Sequence, residues 1–320
     1  MADKATRDGF GEGLLELGHT HPQVVALSGD LEDSCRAVAF KQQYPDRFFS
    51  VGIAEQDMIG TAAGLALAGK IPFACSFAQF VTGKTLEQLR MAVCYQQLNV
   101  KVAGSHGGLS VGADGATAEA LEEFTHMRSL PHMTVIVPCD AVEAKRATIA
   151  CAEYPGPVFL RLGRSPVPAI SRDADPFAIG QATTLRRGDD VTLIGCGIMV
   201  WHALQAADLL AKDGIEARVV NLHTIKPIDR AAVIAAAKET GAIVAAEEHT
   251  VIGGLGSAIA EVVVHAQPVP MRFVGVEDRF GTSGDPADLL RAFHLMPDDI
   301  VRAAKDVLRA KHAWTPSASH

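Results

Sequence analysis

The chain has 320 residues, of which 48% are hydrophobic and 21% are charged, a composition that can bury a sizeable core. Its formal net charge is −8 and its basic residues form no cluster, which argues against nucleic acid as a partner. The six cysteines form no C-x-x-C pair, so buried free thiols in a reducing compartment are expected. Because no run resembles a signal peptide or a membrane span, we expect a cytoplasmic protein.

Short apolar strands alternate with amphipathic helices along the chain. Strands are predicted at residues 24–29, 71–77, 100–105, 134–139 and 157–162, with helices between them at 85–98 and 140–154. After a stretch rich in proline and charge at 165–181, strands are predicted at 191–196, 217–222, 242–248 and 271–276. This alternation predicts an α/β fold with two doubly wound domains, each a mostly parallel sheet covered by helices on both faces.

The interruption also sets the predicted domain boundaries. Residues 1–168 and 182–320 are expected to form the two domains, and residues 169–181 the linker between them. Each domain then has the usual size of roughly 100–200 residues. The end of the chain, residues 315–320, is expected to be loosely held.

A glycine-rich loop follows the strand at 100–105. Residues 104–124 include His106 and Asp114 among closely spaced glycines. In doubly wound sheets, ligands bind outside the carboxyl ends of the strands, and glycines let the backbone approach a ligand closely. A functional loop is therefore favoured over a flexible surface connection.

A carboxylate, Glu55, lies in the stretch GIAEQDM (52–58), where an apolar run gives way to a helix of small residues. An acidic residue in the first turn stabilises a helix by roughly 0.3–1 kcal/mol through the helix dipole. Taken alone, Glu55 therefore fits a structural role as well as a catalytic one.

Seven motifs, in the same order, resemble the carboxyl-terminal two-thirds of transketolase, a thiamine diphosphate enzyme. They are ATRDGFGEGLLEL (5–17), SGDLEDS (28–34), GIAEQDM (52–58), SFAQFVTG (76–83), GSHGGLSVGADGAT (104–117), MRSLPHMTVIVPCD (127–140) and RLGRSPVP (161–168). Residues 1–168 thus resemble the pyrimidine-binding domain. HTIKPID (223–229) and EEHTVIGGLGSAIAE (247–261) resemble the transketolase C-terminal domain, for which we expect a scaffold and dimerisation role.

The resemblance implies how the cofactor is held. Glu55 matches the glutamate that faces N1′ of the aminopyrimidine of thiamine diphosphate and shares a proton with it, which activates the cofactor for attack on a ketose carbonyl. Phe77 and Phe80 match aromatic residues that form an apolar wall around the pyrimidine.

The resemblance also implies a substrate site. Arg7, Ser34, His106 and Arg164 match the positions with which transketolases hold the phosphate of a sugar phosphate, and this set of side chains suits a dianion. Asp114 matches an acidic residue that contacts a substrate hydroxyl. Catalytic roles are therefore implied for Glu55, His106 and Asp114.

Three positions depart from the family pattern. Ala118 replaces a histidine that contacts the donor end of the sugar, which puts donor specificity or turnover in doubt. Ala54 replaces an arginine, and a third aromatic residue is missing near Gly83. The cofactor wall is therefore expected to be more open, or to be completed by another chain.

A cofactor motif of the family is missing from the chain. Thiamine diphosphate enzymes hold the diphosphate through Mg²⁺ with a G-D-G motif and a later Asn, and the chain contains no G-D-G. We therefore expect no metal site in this chain and a partner subunit that carries the diphosphate and Mg²⁺ site. The predicted enzyme is a two-chain transketolase, assembled as α2β2, that transfers a two-carbon ketol unit from a ketose to an aldose.

Three alternatives remain open. The beta subunit of a 2-oxoacid dehydrogenase shares the domain layout but does not need the four phosphate-binding residues. A deoxyxylulose-phosphate-synthase-like enzyme normally keeps the diphosphate domain in the same chain. A non-catalytic scaffold subunit is compatible with Ala118, although it has no reason to keep Glu55 as a costly buried carboxylate. In the second domain, Glu247, Glu248 and His249 are interpreted as solvated charges at a strand end.

Overall fold

The computed structural model describes residues 3–313, so the predicted loose segment 315–320 lies outside the described residues. The strands are β1 (Val24–Ser28), β2 (Phe48–Ser50), β3 (Ile71–Phe77), β4 (Lys101–Ser105), β5 (Thr134–Ile136), β6 (Val158–Arg161), β7 (Thr183–Arg186), β8 (Val191–Gly195), β9 (Ala217–Asn221), β10 (Thr224–Lys226), β11 (Ile243–Thr250) and β12 (Met271–Val276). Within residues 3–313, no helix combines the length and apolar character that crossing a membrane requires.

The helices lie between the strands, as predicted. They are α1 (Thr6–Thr20), α2 (Val38–Gln43), α3 (Glu55–Leu67), α4 (Ala78–Gly83), α5 (Leu86–Gln88), α6 (Glu123–Ser129), α7 (Ala141–Glu153), α8 (Met199–Lys212), α9 (Arg230–Thr240), α10 (Leu255–Ala266), α11 (Pro286–Ala292) and α12 (Pro297–Ala313). Pro45–Arg47 and Leu109–Val111 form single 3₁₀ turns, and Leu89–Cys94 forms a π-helix.

Two mostly parallel sheets form the fold, which confirms the predicted α/β class. The first has seven strands in the order β10-β5-β6-β4-β3-β1-β2, and the second has five in the order β12-β11-β8-β9-β7. Among the strands of residues 3–313, only β10 and β7 run antiparallel to their neighbours, β5 and β9. All six cysteines are free and buried, as expected from the sequence.

One of the buried apolar clusters contains residues of both sheets, which the sequence did not predict. β10 lies in the C-terminal half of the chain but pairs with β5 of the first sheet, and a single buried cluster runs from Leu27 to Val263. The predicted strand at 134–139 ends early, at Ile136, and Val137 N makes one further hydrogen bond, to His223 O at 2.7 Å. Pro138 then has no N–H with which to continue the ladder.

The predicted helix at 85–98 is also irregular. It consists of α5 followed by the π-helix Leu89–Cys94, in which Tyr95 N donates to Arg90 O at 2.9 Å. The widened turns place Leu89, Val93 and Cys94 together on the buried side.

Candidate active site

The first turn of α1 is fixed against the chain that leaves β6. Gly163 N donates to Thr6 Oγ1 at 2.6 Å, and Arg7 N donates to Gly163 O at 3.4 Å. Gly9 makes this possible, because a Cβ at that position would lie 1.9 Å from Ala141 O on α7. These contacts bring Arg7 beside the segment that carries Arg164.

The Arg7 guanidinium connects three of the predicted phosphate-binding segments. Its Nη1 donates to Ser34 O at 3.0 Å and lies 3.3 Å from His106 Nε2, while its buried Nε has no hydrogen-bond partner among residues 3–313. Burial, and then the nearby charges of Arg36 and Arg164, lower the pKa of Arg7. A cluster of cations with a free buried donor is suited to an anionic ligand.

His106 is neutral in this setting. Burial lowers the pKa of His106 to about 3, with further contributions from Arg7, Arg164 and Arg36. Because Arg7 donates towards Nε2, Nε2 must be the acceptor, so the Nδ1–H donates to Ser105 Oγ at 2.9 Å. The ring also stacks on Phe77 with a centroid distance of 3.8 Å, which fixes its plane.

Arg164 is held by the glycine-rich loop. Its Nη1 donates to Val111 O, and the adjacent Ser165 Oγ donates to Ser110 O at 2.8 Å. Asp114, on the same loop, is exposed, and within residues 3–313 no hydrogen bond joins it to the four predicted phosphate-binding residues. The structure thus brings Arg7, Ser34, His106 and Arg164 together and leaves Asp114 outside their hydrogen-bond network.

Glu55 is the first residue of α3 and is buried, with 4% of its surface exposed. The chain turns into the helix at Gly52, whose φ of +71° favours glycine. Ser76 Oγ donates to Glu55 Oε1 at 3.5 Å, and Lys84 Nζ donates to Oε2 at 3.3 Å. An open pocket of about 560 Å³ lies beside it, lined by residues 53–57 and Lys84.

Two aromatic rings extend from His106 towards Glu55; we call Arg7, Ser34, His106 and Arg164 the anion cluster, because they suit an anionic ligand. Phe80 stacks on Phe77 with a centroid distance of 5.5 Å, and both rings are partly exposed. These rings and the buried Glu55 carboxylate fit an aminopyrimidine, because the rings can contact its plane and the carboxylate can share a proton with it. No group of three or more His, Cys, Asp or Glu side chains in the described part of the chain is arranged to hold a metal ion.

Two charged residues near the site were not predicted from the sequence. Lys84 pairs with Glu55, and its Nζ lies 4.4 Å from the centroid of the Phe80 ring. Arg36 approaches the anion cluster, although its Nε donates to Asp8 Oδ1 at 2.7 Å. Both follow matched motifs by one or two residues, so the motif positions could have indicated them.

The interpretation of Glu247, Glu248 and His249 as solvated charges is wrong. Their exposed fractions are 0%, 3% and 0%. They lie on β11 between the two halves of the chain, where Arg161 pairs with Glu248 and the Glu247 carboxylate accepts hydrogen bonds from α10. Groups from both halves of the chain, rather than water, therefore surround them.

Comparison with known proteins agrees with this geometry. Residues 2–169 match the family model of the transketolase pyrimidine-binding domain, and residues 180–300 match that of the transketolase C-terminal domain. The 6-deoxy-6-sulfo-D-fructose transketolase subunit SqwH of Clostridium sp. (strain MSTE9) is 44% identical over 96% of this chain and 95% of its own length. An apulose-4-phosphate transketolase subunit of Phocaeicola vulgatus is 38% identical over 95% of this chain and 98% of its own length.

A solved structure has the same fold along nearly the whole chain. It is described as a split gene transketolase, an inactive β4 tetramer, and is 44% identical with a TM-score of 0.90, covering 97% of this chain and 100% of that one. Fold and site therefore define a pyrimidine-binding domain joined to a transketolase C-terminal domain. The chain belongs to the transketolase family and corresponds to the C-terminal subunit of a split transketolase, which confirms the resemblance carried by the seven motifs.

Proposed function

We propose that this subunit supplies the pyrimidine-facing glutamate and the substrate-anion site of a two-chain transketolase. The enzyme transfers a two-carbon ketol unit from a ketose to an aldose, at least one of which carries a phosphate or a similar anion. The observation that carries the proposal is the convergence of Arg7, Ser34, His106 and Arg164, and its connection through Phe77 and Phe80 towards Glu55.

At the cofactor end, Glu55 holds a proton at N1′ of the aminopyrimidine. Thiamine diphosphate, when bound, supplies the electron sink for cleavage of the ketose carbon–carbon bond. Phe77 and Phe80 orient the pyrimidine and exclude water from one side of it. The position of Glu55 supports this role, because its buried carboxylate is fixed at the start of α3 and borders the open pocket.

At the anion end, Arg7 and Arg164 neutralise the substrate anion, and Ser34 donates a further hydrogen bond. His106 acts as a neutral imidazole that fixes the Arg7 guanidinium. Asp114 reaches a substrate hydroxyl from its exposed loop. Two relatives named for a sulfonated and a phosphorylated sugar support an anionic substrate.

The exposed surface around α3 supports a partner subunit. Ile53 and Leu67, at the two ends of the helix, are 78% and 74% exposed, and Tyr95 beside it is 72% exposed. A Cβ at Gly60 or Gly64 would meet no atom within 4 Å, so another helix can approach closely there. We assign this surface to assembly with an N-terminal subunit that carries Mg²⁺ and the diphosphate, in an α2β2 enzyme. The solved relative, described as an inactive β4 tetramer, supports partner dependence.

The same proposal includes the domain division and the compartment. Residues 1–168 form the pyrimidine-binding domain and residues 182–320 the C-terminal domain, with the linker at 169–181. The linker range lacks helices and strands, which supports these boundaries. Six buried free cysteines support a reducing, cytoplasmic location.

Reconstitution tests the proposal. The chain is purified alone and together with a polypeptide from a neighbouring reading frame that bears G-D-G, with thiamine diphosphate and Mg²⁺ present. The donor is 3-hydroxypyruvate, which leaves a two-carbon ketol unit on loss of CO₂, and the acceptor is glyceraldehyde 3-phosphate. We expect ketose phosphate to form only with both chains present. Turnover by this chain alone would contradict the partner requirement, and no turnover by the assembled pair would favour a non-catalytic scaffold.

A further inference from the structure

The glycine-rich loop is held in place from the C-terminal domain. Glu248, on β11, accepts a hydrogen bond from Ser110 N at Oε1, with a distance of 2.6 Å. Its Oε2 accepts from Arg161 Nη2 at 3.2 Å, and its backbone oxygen accepts from the same atom at 3.1 Å. Glu248 and Arg161 are each 3% exposed, so this contact is shielded from water.

Arg161 lies between two carboxyl groups. Its Nε donates to Glu123 Oε1 at 3.2 Å, and its Nη2 donates to Glu248 Oε2 at the same distance. Burial raises the pKa of Glu123. Of the two carboxyl groups, Glu248 is the one that also holds Ser110 N, so it joins the buried guanidinium to the loop.

The loop lies directly on this ion pair. A Cβ at Gly108 would lie 2.3 Å from Arg161 Nη2 and 2.3 Å from Glu248 Cδ, and the φ of Gly108 is +85°. Only glycine fits such a position, both sterically and in its backbone conformation. The ion pair consequently sets how far the loop can approach the C-terminal domain.

The anchored residues also carry the anion site. Next to Ser110, Val111 O accepts the hydrogen bond that holds Arg164, and Ser110 O accepts from Ser165 Oγ. At the other end of the segment lies His106, with a φ of +58°. A shift of Ser110 would therefore move the support of Arg164, and would alter the turn that orients His106.

We propose that Glu248 is a positioning residue for the substrate anion, acting through the backbone of Ser110 and Val111. This inference rests on the proposed function of the anion site and extends it to the C-terminal domain. Glu248 does not touch the substrate. Its hydrogen bond to Ser110 N, rather than its charge alone, sets the geometry of Arg164 and His106.

Two substitutions separate the hydrogen bond from the charge. Glu248→Gln keeps a carbonyl oxygen within reach of Ser110 N but removes the charge, whereas Glu248→Asp keeps the charge but is shorter by one methylene. In the assembled enzyme we expect Glu248→Asp to raise KM for glyceraldehyde 3-phosphate about tenfold, since a buried unpaired N–H costs roughly 1–3 kcal/mol. KM for unphosphorylated glyceraldehyde and kcat should change little, and Glu248→Gln should stay within about threefold of the parent.

The matched control is Glu261→Gln. Glu261 pairs with Arg128 at 2.9 Å across the same domain contact, but it does not touch the glycine-rich loop. This variant should leave both KM values unchanged. A milder effect of Asp than of Gln at position 248 would overturn the proposal, because it would show that only the ion pair matters. Equal effects on phosphorylated and unphosphorylated acceptors would overturn it as well.

Titration of the full-length chain with inorganic phosphate gives a reading that does not depend on turnover. We expect Glu248→Asp to weaken phosphate binding about tenfold and Glu248→Gln to retain it. If the parent chain binds phosphate but the assembled enzyme does not transfer a ketol unit, the proposed function fails while this inference stands. If the parent binds no phosphate, the inference fails together with the anion site. A parent-like phosphate affinity of Glu248→Asp would overturn the inference alone.

Discussion

The two ends of the site differ in how completely this chain builds them. At the anion end, Arg7 is fixed by Ser34 O and His106, and Arg164 by Val111 O, so the side chains come from separate segments that already contact each other. At the cofactor end, Glu55 is buried, but it faces an open pocket, and its partner Lys84 is 52% exposed.

This difference shows which part of the site is preorganised. A charged cluster held by partly buried hydrogen bonds loses much of its conformational freedom when the chain folds, so substrate binding there requires little further ordering. The Glu55 pocket is open on one side, where we propose that the partner subunit completes it. We therefore expect anion binding to survive in the isolated chain, and cofactor activation to depend on assembly.

The largest expected effect concerns Glu55. Glu55→Gln should lower kcat of the assembled enzyme by about 10²–10⁴, the usual contribution of a positioned proton-transfer group. Phosphate binding by the chain should be unchanged, which would separate the two ends of the site. Steady-state kinetics and a phosphate titration measure these quantities.

Asp57→Asn is the control for the helix-dipole explanation of Glu55. Asp57 is an exposed acidic residue in the same first turn of α3. If Glu55 served only the dipole, both variants would lose similar, small amounts of stability and keep their activity. Near-normal turnover of Glu55→Gln would therefore contradict the catalytic role.

The next effect concerns the anion end. Arg164→Ala should raise KM for glyceraldehyde 3-phosphate by about 10- to 100-fold, because a hydrogen bond to a charged group contributes roughly 1.5–3 kcal/mol. KM for glyceraldehyde should change far less. Arg172→Ala, at an arginine that is 85% exposed and pairs only with Asp175, is the control. Equal losses with both acceptors would remove Arg164 from the anion site.

Much of the fold and the anion cluster could be predicted from the sequence. The alternation of apolar strands and helices is a local pattern, and it predicted both sheets. Arg7, Ser34, His106 and Arg164 are far apart in sequence, but each lies in a motif whose order matches the family. The structure brings these four residues together, while their roles remain predictions.

Contacts between the two halves could not be predicted in the same way. Glu248 pairs with Arg161, a residue 87 positions earlier, and Ser110 is 138 positions away. A charged triplet at the end of a strand has the same local pattern whether water or another domain covers it. Likewise, no periodicity indicates that β10 pairs with β5, because a three-residue strand carries almost no pattern of its own.

A smaller effect is expected at Lys84. An ion pair with one exposed partner contributes no more than about 1 kcal/mol, and Lys84 competes with the pyrimidine for Glu55. Lys84→Met should therefore lower the apparent KM for thiamine diphosphate by about two- to fivefold in the assembled enzyme. Lys70→Met, at an exposed lysine after α3, serves as the control. A raised KM would instead mean that Lys84 helps to hold the cofactor.

The smallest expected effect is on stability, at Glu119 in the glycine-rich loop 104–124. Glu119 is 3% exposed, and its carboxyl group lies against the backbone of Gly281 and Thr282. Burial, and then the charges of Glu248 and Asp114, raise the pKa of Glu119 to about 7 from an ordinary value of 4.5. The folded state therefore binds more protons than the unfolded state between these two pH values, and the contribution of Glu119 to stability is lost as pH rises through 7.

Glu119→Gln removes this titration. The Tm of the variant should match that of the parent near pH 5 and exceed it by about 2 °C at pH 8, as measured by thermal unfolding in matched buffers. Other buried groups, such as Glu123 and His249, titrate equally in both proteins, so only the difference between variant and parent is informative. Glu153→Gln, at an exposed glutamate on α7, should show no such divergence. A constant difference between pH 5 and pH 8 would mean that Glu119 does not titrate in this range. In that case Glu119 would not make the stability of the glycine-rich loop depend on pH.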